Sequence, residues 1–279
     1  RKFGIKNVLA CTYQAISGAG KTFETWPEMV DNLIPFIGGE EEKSEQEPLK
    51  VWGTIENGQI VKASAPLITT QCLRVPVADG HTAAVFVRFE NKPTIEQIKA
   101  EWAAFRGVPQ ELDLPHAPKQ FIHYFEEPDR PQARLDRNPE GGMAVSVGRL
   151  REDTMFDYKF VGLSHNTLRG AAGGAVLTAE WLYRKGATVS MGGHPHVVQP
   201  VEVLTDKWGR VRGVTFFSLG NYVSNQTTPG SDGGMVATLR FRQVGQEPIE
   251  ISADWDFVWT HRYRKNGQRA YRILPLDAL

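Results

Sequence analysis

Apolar residues at alternating positions predict most of the strands in the first two thirds of the chain. The clearest run sets Val85, Val87 and Phe89 against Phe86 and Arg88. A period of two is typical of a half-buried antiparallel strand. The strands predicted in this part lie at residues 7–13, within the β-like region 65–90, and at 144–150 and 160–164.

Helical spacing of apolar residues predicts the helices between these strands. The best defined begins at Thr94, where Thr94-Ile95-Glu96-Gln97 has the form of a capping box. The acidic run after Gly39 suits the first turn of another helix, because carboxylates oppose the positive end of the helix dipole. The helices are predicted at residues 28–37, from Glu40 to between Lys50 and Gly53, at 94–105 and at 167–185, with a long ordered connection at 108–142.

The pattern becomes rich in strands after Gly186. A buried strand at residues 187–191 is predicted to end in the loop Gly192-Gly193-His194-Pro195-His196. Residues 201–204 and 211–218 are predicted to pair as a hairpin. The remaining strands are predicted at 234–242, 249–259 and 269–274.

Composition excludes several classes of function. The 279 residues suffice for about two domains, and 41% hydrophobic and 23% charged residues are ordinary for a globular protein. The 32 basic residues balance the 32 acidic ones, so binding to nucleic acid or a membrane surface through bulk charge is not expected. No apolar run reaches the length of a transmembrane helix, about 18 residues. Cys11 and Cys72 form no C-x-x-C motif; they favour a reducing cytoplasm and are predicted to be small core residues.

A short segment joins an anion-binding side chain to a proton-transfer group. Arg74 ends an apolar run, and Gly80 presents His81 seven residues later. A guanidinium can bind a carboxylate through two parallel hydrogen bonds, and imidazole is the side chain that titrates nearest neutrality. The segment therefore predicts an active site for a small acid; a surface arginine with an ordinary loop histidine is the alternative.

Residues 15–22 loosely match the phosphate-loop motif, with Ala15 in place of its first glycine. Pro27 follows too closely for a long helix, and no later apolar run ends in an aspartate that could bind magnesium. We expect a backbone nest that lets a substrate or cofactor approach. A flexible glycine turn is the alternative.

Five motifs, taken in order and spacing, resemble the aspartate-semialdehyde dehydrogenase family, and the three consecutive glutamates resemble its archaeal and fungal branch. The resemblance covers about residues 1–186. It implies the C-terminal catalytic and dimerisation domain, with an α+β fold whose mixed or antiparallel sheet carries helices on one face. The motifs are Thr12-Tyr13-Gln14-Ala15-Ile16-Ser17-Gly18-Ala19-Gly20, Gly39-Glu40-Glu41-Glu42-Lys43, Arg74-Val75-Pro76-Val77 with Gly80-His81, Val147-Gly148-Arg149-Leu150-Arg151 and His165-Asn166-Thr167-Leu168-Arg169-Gly170-Ala171-Ala172.

The resemblance implies a reaction and a role for each site residue. The reaction reduces aspartyl phosphate to aspartate semialdehyde with NADP as the hydride carrier and loss of phosphate. A homodimer is implied as well. The resemblance implies that His81 is the general acid/base and that Gln14 orients the substrate. It implies that Arg74 binds the substrate's carboxylate, Glu41 its amino group and Lys43 its phosphate. The residues implied to contact NADP are Ser17, Gly18 and Asn166.

The family's glycine-rich dinucleotide motif and its nucleophilic cysteine precede the strand that opens this chain. Neither Cys11 nor Cys72 lies in the nucleophile motif. We therefore expect a domain that lacks its NADP-binding partner and is inactive alone.

The tail, about residues 180–279, resembles the end of CapA-type poly-gamma-glutamate capsule biosynthesis proteins, which are similar to metallophosphoesterases. The resemblance rests on residues 186–200 and 217–223. It implies a β-rich, partial metallophosphatase-like segment at 187–279, in which His194 and His196 form an incomplete site for a divalent metal.

The two resemblances meet within residues 179–187. We interpret this junction as a crossover between two genes, either natural or introduced in sequence assembly. The alternative functions are therefore a metallophosphatase of capsule biosynthesis and a non-catalytic interaction remnant.

Overall fold

The computed structural model describes residues 2–193, 196–205, 207–222, 230–245 and 249–276. The chain divides into two compact units, Arg1–Leu177 and Thr178–Leu279. Among the described residues, no helix is both long and apolar enough to cross a membrane.

The first unit contains one large sheet and several short helices. One-turn 3-10 helices lie at Ile16–Ala19, Pro27–Met29 and Pro139–Gly142. The other elements, in chain order, are β1 (Ile5–Gln14), α1 (Glu40–Val51), β2 (Thr54–Glu56), β3 (Gln59–Val61), β4 (Leu67–Arg74), β5 (His81–Phe89), α2 (Ile95–Ala103), α3 (Val108–Glu111), β6 (Ile122–Phe125), α4 (Ala133–Asp136), β7 (Val145–Glu152), β8 (Tyr158–Ser164) and the beginning of α5 (Gly173–Arg184).

The six strands of the large sheet follow the order β4-β1-β5-β8-β7-β6. β1 runs parallel to β4 and β6 parallel to β7, whereas the three central pairs are antiparallel. The mixed sheet that the family resemblance implies is therefore confirmed. β2 and β3 form a separate two-stranded hairpin.

The core of the first unit lies between the sheet and α2. Val87, Ile98, Leu150 and Tyr158 are buried together, and the ring of Trp102 stacks on a neighbouring tyrosine with centroids 5.8 Å apart. The capping box predicted at Thr94 begins this helix. Burial of these large side chains supplies the main stabilisation of the sheet, at about 25 cal/mol per Å² of apolar surface.

The helix predicted at residues 28–37 is wrong, because tertiary pairing overrides its local pattern. The N–H of Ile34 donates to the carbonyl of Arg74 at 3.0 Å, and the N–H of Arg74 donates back at 2.9 Å. Pro35, which has no N–H, follows directly. Ile34 therefore pairs with the end of β4, and only Pro27–Met29 forms a turn of 3-10 helix.

Two other predictions need correction in detail. The helix expected at 167–185 begins with a π-helical turn, Leu168–Ala172, before α5. The connection expected at 108–142 contains the strand β6, which is short and pairs in parallel with β7. The strand β6 has no strong local signal, because it forms by pairing with a strand elsewhere in the chain.

The second unit contains the rest of α5 and two three-stranded sheets, ordered β10-β11-β9 and β12-β13-β14. The predicted hairpin and the three later strands are confirmed. Val214, Phe216, Met235 and Ile251 are buried together in its core. The strands are β9 (Val189–Met191), β10 (Val201–Thr205), β11 (Val211–Phe216), β12 (Gly233–Arg242), β13 (Glu250–Lys265) and β14 (Gln268–Pro275).

The cap of α2 gives a stability prediction. The Thr94 hydroxyl accepts the N–H of Gln97 at 3.2 Å, and the Gln97 side chain accepts the N–H of Thr94 at 2.8 Å. Replacing Thr94 by alanine should lower the free energy of unfolding of the first unit by about 1 kcal/mol. Urea unfolding measures this change. Thr94→Ser, which keeps the acceptor, is the control, and equal loss in both variants would contradict the assignment.

Candidate active site

The ends of three neighbouring strands meet at one end of the large sheet, where β1 and β4 finish and β5 begins. β1 and β4 are parallel and pair Gln14 with Arg74 at their C-terminal ends. β5 is antiparallel to β1 and begins at His81. Its next residue, Thr82, pairs with Tyr13 near the end of β1. The topology therefore brings Gln14, Arg74 and His81 together, as expected for an active site.

The ring of His81 is anchored by the backbone. Its Nδ1 accepts the N–H of Ala15 at 3.1 Å. Burial, and after it the nearby charge of Arg74, lowers the pKa of His81 from 6.5 to about 4, although the carboxylates of Glu40 and Asp79 act in the opposite direction. His81 is therefore neutral at pH 7. Because Nδ1 accepts a hydrogen bond, the neutral ring carries its proton on Nε2.

Arg74 contacts the backbone carbonyl of Ala15, the residue whose N–H holds His81. Its Nη1 donates to the carbonyl of Ala15 at 2.7 Å, and the side chain is buried. Burial lowers the pKa of Arg74, and the charge of Glu40 opposes this effect. The remaining guanidinium donors are suited to bind an anion, since the side chain keeps its charge throughout the ordinary pH range.

Gly18 lies where no side chain fits. A Cβ at this position would stand 2.8 Å from Nη1 of Arg74 and 2.9 Å from Nε2 of His81. An alanine would therefore displace the guanidinium or the imidazole. The 3-10 turn Ile16–Ala19 ends at Gly20, which adopts a left-handed conformation with φ 66°. The turn predicted as a backbone nest thus approaches the two site residues closely.

Asn166 joins two loops beside this turn. Its Nδ2 donates to the hydroxyl of Ser17 at 2.9 Å, and its Oδ1 accepts the N–H of Gly80 at 2.9 Å. Gly80 has φ +97°, which favours glycine. Asn166 therefore fixes the segment that precedes His81 relative to Ser17 and Gly18.

Glu40, a residue that sequence reasoning missed, faces Gln14. Its Oε2 accepts from the Gln14 amide at 3.3 Å, and its Oε1 accepts from Nζ of Lys43 at 3.0 Å. The hydrogen bond from Lys43 is the largest cause that lowers the pKa of Glu40. The signal that could have identified it is the spacing of three from Lys43, which places both residues on one helix face.

Glu41 lies elsewhere. Its Oε1 accepts the N–H of Cys72 at 3.1 Å and the side-chain amide of Gln71 at 3.0 Å. The contacts described for its carboxylate are thus with β4, whereas those of Glu40 are with Gln14 and Lys43. Both cysteines are free thiols: Cys72 is buried and Cys11 is half-buried.

The predicted metal site falls partly outside the described residues, because His194 is not among them. Nδ1 of His196 lies 2.9 Å from Oδ1 of Asn221. The Asn221 amide donates to the carbonyl of His196 at 2.9 Å. Within the described ranges, no three His, Cys, Asp or Glu side chains gather as a metal site would require.

Comparison with protein families gives two matches along the chain. Residues 1–169 match the family described as "Semialdehyde dehydrogenase, dimerisation domain". Residues 171–226 match that described as "Bacterial capsule synthesis protein PGA_cap". The first match confirms the resemblance carried by the five motifs.

Curated relatives and solved structures match the same part of the chain. An aspartate-semialdehyde dehydrogenase from Methanothermobacter thermautotrophicus is 46% identical over 180 residues, which are 64% of this chain and 52% of the relative. One from Schizosaccharomyces pombe is 48% identical over 178 residues, 62% of this chain and 50% of the relative. The crystal structure of the Candida albicans enzyme with NADP superposes with a TM-score of 0.59 at 42% identity, covering 66% of this chain and 52% of that one. The chain therefore spans about half the length of these relatives.

The environment of His81 gives a prediction about pH. NMR titration should find the ring neutral at pH 7 and protonated only near pH 4. Because the unfolded chain binds this proton more readily, the contribution of His81 to stability is present above pH 6.5 and is lost as the pH falls toward about 4. Arg74→Gln should raise the pKa of His81 but leave it below 6.5, since burial remains. An unchanged pKa in that variant would contradict the contact.

Proposed function

The chain belongs to the semialdehyde dehydrogenase family through its residues 1–169, and on this basis we propose that it forms the substrate-binding half of an NADP-dependent aspartate-semialdehyde dehydrogenase. The proposed reaction is the reductive dephosphorylation of aspartyl phosphate to aspartate semialdehyde. The observation that carries the proposal is the cluster of Gln14, Glu40, Arg74 and His81 where β1 and β4 end and β5 begins. The curated relatives are named aspartate-semialdehyde dehydrogenase, which also supports the proposal.

Each charged group of the proposed substrate has a counterpart of opposite charge in the cluster. The guanidinium of Arg74 suits the carboxylate, and Lys43 suits the phosphate. We assign the amino group to Glu40, in place of the Glu41 that the resemblance suggested, because the Glu40 carboxylate faces Gln14. Fixed charges at three points orient a small substrate with little buried area.

His81 is proposed to move the proton. With Nδ1 held by the N–H of Ala15, exchange takes place at Nε2, on the side of Gly18. The neutral state at pH 7 keeps the imidazole from repelling Arg74. A buried acid/base group of this kind contributes about 10²- to 10⁴-fold to a rate.

Ser17, Gly18 and Asn166 are proposed to hold NADP, which supplies or takes up the hydride when bound. The hydrogen bond between Ser17 and Asn166, beside the turn that contains Gly18, supports this assignment. The family description as a dimerisation domain supports a homodimer formed through residues 1–169. We place this activity in the cytoplasm.

A second candidate concerns the tail, because residues 171–226 match the capsule-synthesis family. This second candidate requires residues 187–279 to derive from a metallophosphatase-like protein in which His194 and His196 bind a divalent metal, which the main proposal does not expect of this chain. Two imidazoles without further ligands bind zinc weakly. Calorimetry with zinc should therefore find no stoichiometric binding; tight binding that His196→Ala abolishes would favour the second candidate.

The activity itself can be tested with the full chain fused behind the part of the Methanothermobacter relative that precedes the matched region. The fusion should reduce NADP with aspartate semialdehyde only when phosphate is present, and the chain alone should not. In the fusion, His81→Asn should lower kcat by about 10²- to 10⁴-fold. His123→Asn is the control, since His123 lies on β6, an outer strand that is separated from β5 by β8 and β7. A fully active His81→Asn enzyme would refute the assignment.

The assignment of the amino group predicts that two neighbouring glutamates behave differently. In the same fusion, Glu40→Gln should raise KM for aspartate semialdehyde about tenfold or more, because a charge-assisted hydrogen bond is lost. Glu41→Gln should have a small effect, since an amide oxygen can still accept from the N–H of Cys72. The opposite order would return the role to Glu41.

A further inference from the structure

Helix α1 carries Glu40 and Lys43, yet hydrophobic burial does not hold it in place. None of its residues is fully buried, and apart from Pro48, Leu49 and Val51 they are polar or charged. A surface helix is ordinarily fixed by an apolar stripe against the core. Another interaction must therefore set the rotation of α1.

That interaction lies at the open edge of the sheet. Within the part of the chain that the structure describes, β4 is the edge strand of the large sheet, so no further strand pairs with its outward N–H groups. The N–H of Thr70 donates to the Glu45 carboxylate at 2.9 Å. The N–H of Cys72, two residues on, donates to the Glu41 carboxylate at 3.1 Å. The next outward N–H, that of Arg74, is the one bonded to Ile34.

The two spacings match. Four residues of helix rise about 6 Å, and two residues of strand advance about 6.7 Å. Carboxylates at positions i and i+4 of α1 therefore reach alternate N–H groups of β4 without distortion. The hydroxyl of Thr70 adds a bond to the carbonyl of Glu41 at 3.2 Å. Hydrogen bonds to charged acceptors are the stronger kind.

We propose that Glu41 and Glu45 are positioning residues: their carboxylates take the place of a further strand at the edge of β4 and fix α1 so that Glu40, which is paired with Lys43, faces Gln14. The significance of that face for a substrate rests on the proposed function. The attachment itself rests only on the contacts between α1 and β4. Glu41 would thus act on the site through the helix, without touching the substrate.

The attachment is tested by hydrogen exchange of backbone amides in the full chain. In the double variant Glu41→Ala/Glu45→Ala, the amides of Thr70 and Cys72 should exchange about tenfold faster or more. Glu41→Gln/Glu45→Gln should keep most of the protection, because amide oxygens still accept. Glu42→Ala, at an exposed position of the same turn, is the matched control. Unchanged exchange in the alanine pair would overturn the proposal.

The orienting role needs a readout that mere edge protection would not change. The side-chain amide resonance of Gln14 reports its contact with Glu40. In the alanine pair it should shift to the position seen in Glu40→Ala, whereas in the glutamine pair it should stay at the wild-type position. A wild-type resonance in the alanine pair would show that the carboxylates only cover the edge, and would overturn the proposal.

Exchange in β5 separates these outcomes from general unfolding. Its amides should keep wild-type protection in every variant, because β5 lies inside the sheet. Binding of aspartate semialdehyde to the wild-type chain, measured by calorimetry, tests the proposed function independently. Failure to bind would refute that function. The positioning role of Glu41 and Glu45 is tested separately, by the exchange and resonance data.

Discussion

The backbone of Ala15 is the point on which the candidate site depends. Its N–H holds the imidazole of His81, and its carbonyl holds the guanidinium of Arg74. Ala15 is itself fully buried directly after β1, so its own N–H and carbonyl are shielded from bulk water. One residue of backbone therefore fixes the separation of a proton-transfer group and an anion-binding group. Hydrogen bonds to a buried residue are costly to break, because each freed partner would stay unsatisfied.

The electrostatics of the site follow from this arrangement. A neutral imidazole can lie beside a buried guanidinium without repulsion, and burial is the larger cause of its neutrality. Glu40 moderates both groups, since its charge opposes the pKa shifts of His81 and Arg74 alike. The charge of Glu40 acts on both other groups, and the charge of Arg74 acts on both His81 and Glu40. The properties of the site therefore belong to the set of groups and cannot be assigned to one residue alone.

Sequence patterns sufficed where the signal is local. Alternation predicted β5, the capping box predicted the start of α2, and the five motifs predicted the family. Sequence patterns failed where the outcome depends on how distant segments of the chain pack against one another. Residues 28–37 have helical spacing, but Ile34 pairs with Arg74. Glu40 and Glu41 are chemically equal in the sequence, and only the placement of α1 against β4 decides which of them reaches Gln14. The tight fit at Gly18 likewise appears only once distant strands are assembled.

Asn166 and Ser17 hydrogen-bond across 149 positions of the chain. The strands that meet at the site are also paired across long separations, since β1 bonds to β4 and β5 rather than to a sequence neighbour. Contacts of this kind close only after the loop entropy between them has been overcome, which makes such topologies fold slowly. The site around His81 is complete only when these distant segments have come together. Substrate or cofactor bound there would therefore stabilise the folded first unit relative to any state in which the segments are apart.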